Sequence, residues 1–407
     1  MNQTALGGAT WEPGRIAGLD AWRALLMAAG LFVHGSLWLR PAPLFTVIGD
    51  ASQAFRMGAF FAIAGLLTAL ALSRRAAAPW LGKRLLQLGV PALFGITALS
   101  PLIFVAVATS HRATLGWPLL PFEWHHLWFL VALMLYSLVA VVLDVADKRL
   151  DLIARLDGHA DAGNGRLTVL VTATASAALL AAALPLLNVL VPAAHLRSFG
   201  NAQLIAGYLP MFLLGFVLAR ADRVRNGLIG AQRLGIAICL GTAAAYAAVH
   251  LLGPLAPLAP HVRFMAAALC PPAAFLLILR SALAIRRVPA VVRHVSAASY
   301  TIYVLHYPLS VLINTHFAGG VETHLAYLLS VLASGAASFA MHVLAVQRWP
   351  ALALLLNGKV ARREPSRAAT LADRSSVLSA RADALPPPPS TFGDVAPPRT
   401  LGSRPRW

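Results

Sequence analysis

An arginine and a histidine eleven residues apart in one apolar stretch, Arg23 and His34 of GLDAWRALLMAAGLFVHGSLW, are the residues of this chain best placed to do chemistry. Eleven residues is about three helical turns, so both side chains leave nearly the same face, roughly 16 Å apart along the axis at about 1.5 Å per residue. They line one groove but cannot act on the same atoms. Asp20, three residues before Arg23, is within reach of an ion pair that lowers the cost of burying either charge. Gly30 on the same stripe allows a helix or a ligand to come close, whereas Ser36 faces away from it. Arg56, in FRMGAFFAIAG, falls at about the depth of His34, where a cation can bind an anionic group or stabilise an oxyanion. EWHHLWFL sets Glu123, Trp124, His125, His126 and Trp128 at a boundary where tryptophans suit an interfacial belt. SYTIYVLHYP carries Tyr300, Tyr303 and His306, with His306 near mid-membrane and Pro308 a kink. Each has a plainer reading: a packed histidine, an interfacial ion pair, an arginine reaching for the headgroups. P-loop, GxSxG and HExxH patterns and acid-dense segments are absent, Cys239 and Cys270 lack CxxC spacing, and no metal site is expected.

These residues need a scaffold that holds polar groups in lipid. The chain has 407 residues, 58% hydrophobic and 12% charged, with mean hydropathy +0.71, outside the composition of soluble domains. At about 20 apolar residues per crossing, ten stretches qualify: 17–39, 51–73, 85–108, 122–145, 167–192, 203–220, 234–252, 264–284, 296–316 and 324–347. The predicted fold class is all-α, a polytopic membrane bundle of about ten transmembrane helices. The formal charge of +18 would suggest nucleic acid in a soluble protein, but the basic residues lie in short connections and the tail without interleaved aromatics, which excludes that partner. Alternate loops carry fifteen Lys and Arg (Arg74, Arg75, Lys83 and Arg84 in the first, Arg286, Arg287 and Arg293 in the last) against four, Arg40, Arg112, Arg197 and Arg263, in the others. Because basic loops stay cytoplasmic, both termini are expected in the cytoplasm, with Arg23 in the cytoplasmic half of its helix and His34 towards the outer face. The expected organisation is a cytoplasmic segment 1–16 without a cleaved signal peptide, a transmembrane domain 17–347, and a basic, Pro-rich, disordered cytoplasmic tail 358–407.

In GLDAWRALLMAAGLFVHGSLW, AFRMGAFFAIAG, KRLLQLGVP, HHLWFLVALMLY, YLPMFLLGFVLAR and SYTIYVLHYPL, in that order between residue 15 and about 310, the chain resembles the acyltransferase 3 family of membrane proteins, within it the branch that succinylates periplasmic glucans. The arginine, ten residues, then histidine spacing is the most specific element. One departure is visible: many members place two arginines three apart before the proline matching Pro91, and here Arg84 is followed by Gln87.

The resemblance implies about ten spans, an acyl-CoA donor used from the cytoplasm, no permanently bound cofactor, and a carbohydrate acceptor of the envelope, with succinyl or acetyl as the acyl group, in a multi-pass protein of the inner (plasma) membrane. It puts His34 at the catalytic histidine position as general base and Arg23 at the arginine position; Arg56 would hold the acyl oxygen or a succinyl carboxylate. Donor or acceptor contacts are expected from Asp20, Arg74, Arg75, Lys83, Arg84, His126, Trp128, Tyr303 and His306. A proton-coupled transporter of an anionic solute would use the same buried charges as a midplane site. A structural or assembly protein would tolerate a neutral residue at position 34.

Overall fold

The computed structural model describes residues 17–110, 121–160, 165–190, 202–285 and 287–359. The expectations for the segment 1–16, for Arg112, Arg197 and Arg286, and for the tail from residue 360 lie outside the described residues. Those residues are helical throughout, with no strand: α1 (Ala17–His34), α2 (Pro43–Leu72), α3 (Ala77–Phe94), α4 (Ser100–Ala108), α5 (Trp128–Leu150), α6 (Leu152–Gly158), α7 (Gly165–Leu190), α8 (Ala202–Leu218), α9 (Asp222–Gly230), α10 (Gln232–Leu251), α11 (Ala259–Ala284), α12 (Ala290–Leu312), α13 (Thr323–Met341) and α14 (Pro350–Asn357). Wide π turns join α3 to α4 and extend α12 and α13.

Long helices stand at each of the ten apolar stretches, because in hydrocarbon every backbone amide must be bonded within its own segment. Seven of the described helical segments are long and apolar enough to cross a bilayer, eight if α8 and α9, bent by 114°, are one broken span. α1 and α12 are not among them; their charged and imidazole residues dilute the apolar content, and these two helices pack on one another. Boundaries differ in instructive ways. α1 stops at His34, not at residue 39, and a turn follows. α2 begins at Pro43, where a proline needs no amide partner, eight residues before the expected start, which brings Asp50 onto the same helix as Ser52 and Gln53.

The bundle is drawn together by glycine and by a few buried charges. α2 and α8 cross at Gly65 and Gly215, where a Cβ on either would strike the partner's backbone, at Phe212 and Ala62 respectively; small residues let helices approach where no hydrophobic force separates protein from lipid. Gly18 meets the Ala282 backbone in the same way and seats α1 on α11, and the Trp22 indole donates to Ser281 Oγ at 2.8 Å beside it. At the end of α5, buried Asp144 accepts from Lys148 at 2.8 Å and from Arg220, which also reaches Asp147 at 3.0 Å. α14 follows the last long helix and packs on α3. It starts at Pro350 and ends at Gly358 with φ of 59°, the proline-first, glycine-last signature of a short helix.

Substituting Gly215 by valine is expected to force α2 and α8 apart. The cost should be at least the roughly 1–3 kcal/mol typical of overpacking, read as a lower melting temperature of the detergent-solubilised protein, while Gly241→Val, where a Cβ meets open space, should change it little.

Candidate active site

Three imidazoles from three helices meet at one point. His34 is the last residue of α1, His126 lies in the short 3-10 turn before α5, and His306 is inside α12. The His34 ring is 5.2 Å from that of His306 and 6.2 Å from that of His126, and the latter two are 5.3 Å apart. Tyr307 closes the cluster, stacked on His126 at 4.7 Å and edge-on to His34 at 5.1 Å. Among the described residues, no group of three or more His, Cys, Asp and Glu side chains is placed to hold a metal ion.

The tautomers of two rings follow from their partners. His126 Nε2 is 2.9 Å from the Tyr303 carbonyl, and His306 Nδ1 is 2.8 Å from the same carbonyl and 2.9 Å from that of Ile302. A carbonyl only accepts, so each of these nitrogens carries the proton. The other nitrogens, His126 Nδ1 and His306 Nε2, are buried acceptors without a partner among the described residues. An unmet polar atom at this depth costs about 1–3 kcal/mol, a cost recovered when a ligand or another ring supplies the hydrogen. The Tyr303 hydroxyl donates back to the His126 carbonyl at 2.5 Å, so α12 and the start of α5 are tied in both directions.

Arg56 approaches across Gly30. A Cβ on that glycine would stand 3.3 Å from an Arg56 nitrogen and 3.6 Å from His306 Nε2, so the guanidinium and the imidazole flank the same bare strip of α1. Arg56 Nε donates to Ser52 Oγ at 2.6 Å, one turn back on α2, and among the described residues no carboxylate pairs with it. These groups line a cavity of about 760 Å³ together with Glu123, His125 and Trp128, a volume suited to a small-molecule substrate. Two bulky residues of its wall, Trp38 and His125, hold left-handed backbone at φ of 56° and 38°, a conformation costing about 1–3 kcal/mol each that is found mostly where a structure fixes a functional wall.

Of the residues singled out from sequence, His34, Arg56, His126, Trp128, Tyr303 and His306 line this cavity. Asp20, Arg23, Arg74, Arg75, Lys83 and Arg84 do not. Arg23 does meet Asp20, at 3.5 Å. Arg74 and Arg75 lie in the exposed turn after α2, and Lys83 is exposed on α3. Arg84 donates to Gln87 Oε1 at 3.5 Å, and the Gln87 carbonyl accepts from Tyr300 at 3.1 Å. Two expectations need correction. Trp128 is no belt residue: it is 8% exposed and packs near Phe61 and Tyr208. Ser36 does not face away; because α1 ends at His34, the following turn carries Ser36 into the cavity wall. The plainer reading of His306 is half of the answer, since it is packed and bonded on one side and unmet on the other. Tyr307, Ser52 and Asn314 were not singled out. The amide of buried Asn314, in the π turn after α12, donates to the carbonyls of Gly35 and Leu37 at 2.9 and 2.7 Å, holding the turn that ends α1 beneath His34; an asparagine in an apolar run is the only signal the sequence offers for it.

The sequence profile of the acyltransferase 3 family, described as an acyltransferase domain, matches residues 16–343. Proteins of Salmonella paratyphi B, Salmonella heidelberg and Salmonella enteritidis PT4, each called glucans biosynthesis protein C, are 30% identical over 143 residues, 30% of this chain and 37% of theirs. The chain thus aligns with little more than a third of those relatives. No solved structure matches.

Asn314→Leu is expected to leave the two carbonyls unmet and to lower stability by about 1–3 kcal/mol, measured as a melting temperature in detergent. Loosened at its C-terminal end, α1 should let the His34 ring fluctuate, visible as faster modification of that histidine by diethyl pyrocarbonate in the variant.

Proposed function

The chain belongs to the acyltransferase 3 family of membrane proteins, and from that membership we propose that it is a membrane O-acyltransferase, moving an acyl group, succinyl or acetyl, from cytoplasmic acyl-CoA to a hydroxyl of an envelope or exported carbohydrate. The observation that carries this reading is the meeting of His34, His306, His126 and Arg56, which pairs with no carboxylate among the described residues, on one cavity at one end of α1, with Arg23 and Arg84 at the other. The glucans of the relatives' names suggest the acceptor class.

In this mechanism His34 takes the proton of the sugar hydroxyl as its oxygen attacks the thioester carbonyl. His306 Nε2, held as an acceptor by its Nδ1 bonds, receives the remaining N–H of the His34 imidazolium and orients it; His126 Nδ1 accepts from a second sugar hydroxyl. Arg56 stabilises the oxyanion of the tetrahedral intermediate, or a succinyl carboxylate in the ground state. Collapse breaks the C–S bond, and the departing thiolate takes the proton from His34, leaving the base as it began. Transfer is direct in this reading, without an acyl-enzyme: Ser36, though in the cavity wall, gives its hydroxyl to the Val33 carbonyl at 3.3 Å. Arg23, about 16 Å down the helix, acts with Arg74, Arg75, Lys83 and Arg84 on the CoA phosphates, so that the donor lies along the groove with its thioester at the far end. α1 and α12 complete ten spans in this reading, with both termini cytoplasmic and the protein in the inner membrane.

Reporter fusions after Arg75, Arg155, Arg225 and Arg287 are expected to read cytoplasmic and one at Arg263 external; two or more inversions would remove the ten-span arrangement and the depth given to His34. In detergent, with radiolabelled acyl-CoA and a glucan acceptor, His34→Gln should lose a factor of order 10²–10⁴ in transfer without losing its fold. Arg23→Ala should raise the donor KM more than it lowers kcat. Transfer at the wild-type rate by His34→Gln would end the assignment, and a carrier would yield no acylated sugar in this one-compartment assay.

A further inference from the structure

Beside the histidine cavity lies a second, partly open chamber of about 580 Å³, lined by α2, α7, α8, α10 and α11. The two share Asp50, Gln53 and Leu204 as a common wall. Their chemistry differs sharply. The first is edged by imidazoles, a guanidinium and a carboxylate; the second is walled by residues such as Ala177, Leu180, Met211 and Ala267. Most of the polar side chains on its surface are spent on protein partners: Thr242 donates to the Ile238 carbonyl at 2.7 Å, and Tyr208 to Gln53 at 2.9 Å, with Ser176 the exception. A sugar there would leave hydroxyls unmet, at a cost no apolar wall returns. A hydrocarbon chain would lose nothing.

One end of this chamber is charged. Asp50 accepts from the Tyr246 hydroxyl at 2.8 Å and stands 3.8 Å from Arg263, whose side chain is 46% exposed. From Arg263 the lining continues along α11 to Ala274, eleven residues or about 16 Å. The charged end adjoins the wall shared with the histidine cavity, and that cavity lies at the end of α1 remote from Arg23. The apolar chamber is therefore on the acceptor's side of the reaction and not on the side where donor phosphates would bind.

We propose that the acceptor is an amphiphile, a sugar joined through an anionic group to a hydrocarbon anchor, with the anchor in this chamber, the anion at Arg263 and the sugar hydroxyl at His34. This deepens the transfer reading and rests on it. It states the acceptor's class: carried on a membrane anchor and not free in water.

The test uses the purified full chain in nanodiscs and one oligosaccharide in two forms, free and phosphate-linked to a prenyl chain, with radiolabelled acyl-CoA. The wild type should favour the anchored form in kcat/KM by about tenfold or more. Ala267→Phe on α11 and Ala177→Phe on α7, each of which adds bulk to the lining, should bring that ratio close to one; a ratio within a single protein cancels losses common to both substrates. Arg263→Gln should lower it through the KM of the anchored form. Equal kcat/KM for the two forms in the wild type, or a preference that survives both fillings, overturns the proposal. If neither form is acylated, it is the transfer reading that has failed, and the chamber is then judged by retention of the radiolabelled prenyl-linked sugar on immobilised protein. Retention lost on filling supports the anchor site; no retention, or equal displacement by a phospholipid of the same chain length, overturns it in favour of bulk lipid.

Discussion

One backbone oxygen organises the site. The Tyr303 carbonyl accepts from His126 Nε2 and from His306 Nδ1, and by doing so fixes which nitrogen of each ring is left as an unmet acceptor. Water would scramble such an arrangement, because a solvated imidazole exchanges tautomers freely. His126 and His306 are buried, and moving either proton off its carbonyl partner would leave that carbonyl facing a second acceptor, at a cost that disfavours the other tautomer. The same constraint explains why Tyr303 returns its hydroxyl to the His126 carbonyl and why Asn314 spends both amide hydrogens on the turn after His34. Most polar groups here are placed by satisfying another, and two that are not, His126 Nδ1 and His306 Nε2, lie in residues that line the cavity.

Around that centre the molecule divides its labour. Rigidity comes from the glycine crossing of α2 and α8 and from the seating of α1 on α11, where backbones touch and no side chain can adjust. The polar centre is built from α1, α2, α12 and the turn before α5. The apolar helices α7 and α10, little buried within the protein, are left to meet the lipid. Arg56 belongs to both systems: it rises from the rigid helix α2, is held by Ser52 one turn below, and reaches across Gly30 into the polar centre.

Much of this was legible in the residues. The ten apolar stretches, the Asp20–Arg23 pair and the separation of Arg23 from His34 follow from the helical repeat alone, and the motif stretches pointed to the family. The histidine cluster did not follow. His34, His126 and His306 are far apart in the chain, and periodicity within a helix says which face a side chain takes but not which other helix faces it. Ser36 was misplaced for a related reason: extrapolating a helical face past His34 assumes a helix that stops there, and its stop is set by Asn314 and by Tyr327, whose hydroxyl donates to the Phe32 carbonyl at 2.9 Å, both from the other end of the sequence. α14 is different, because its signal was present. Pro350 and Gly358 bracket an eight-residue helix, short enough to be passed over in a search for membrane spans.

The marginal apolarity of α1 has a consequence for how the protein is made. α1 is the first helix described in the chain and is not apolar enough by composition to cross a membrane, yet it packs against α12, which lies more than two hundred residues downstream and falls short in the same respect. On leaving the ribosome, α1 has no partner for Asp20, Arg23 or His34 beyond the pairing it makes within itself. The candidate site, which needs His34 of α1 and His306 of α12, can therefore close only after α12 has been made, although its first residue is among the earliest translated.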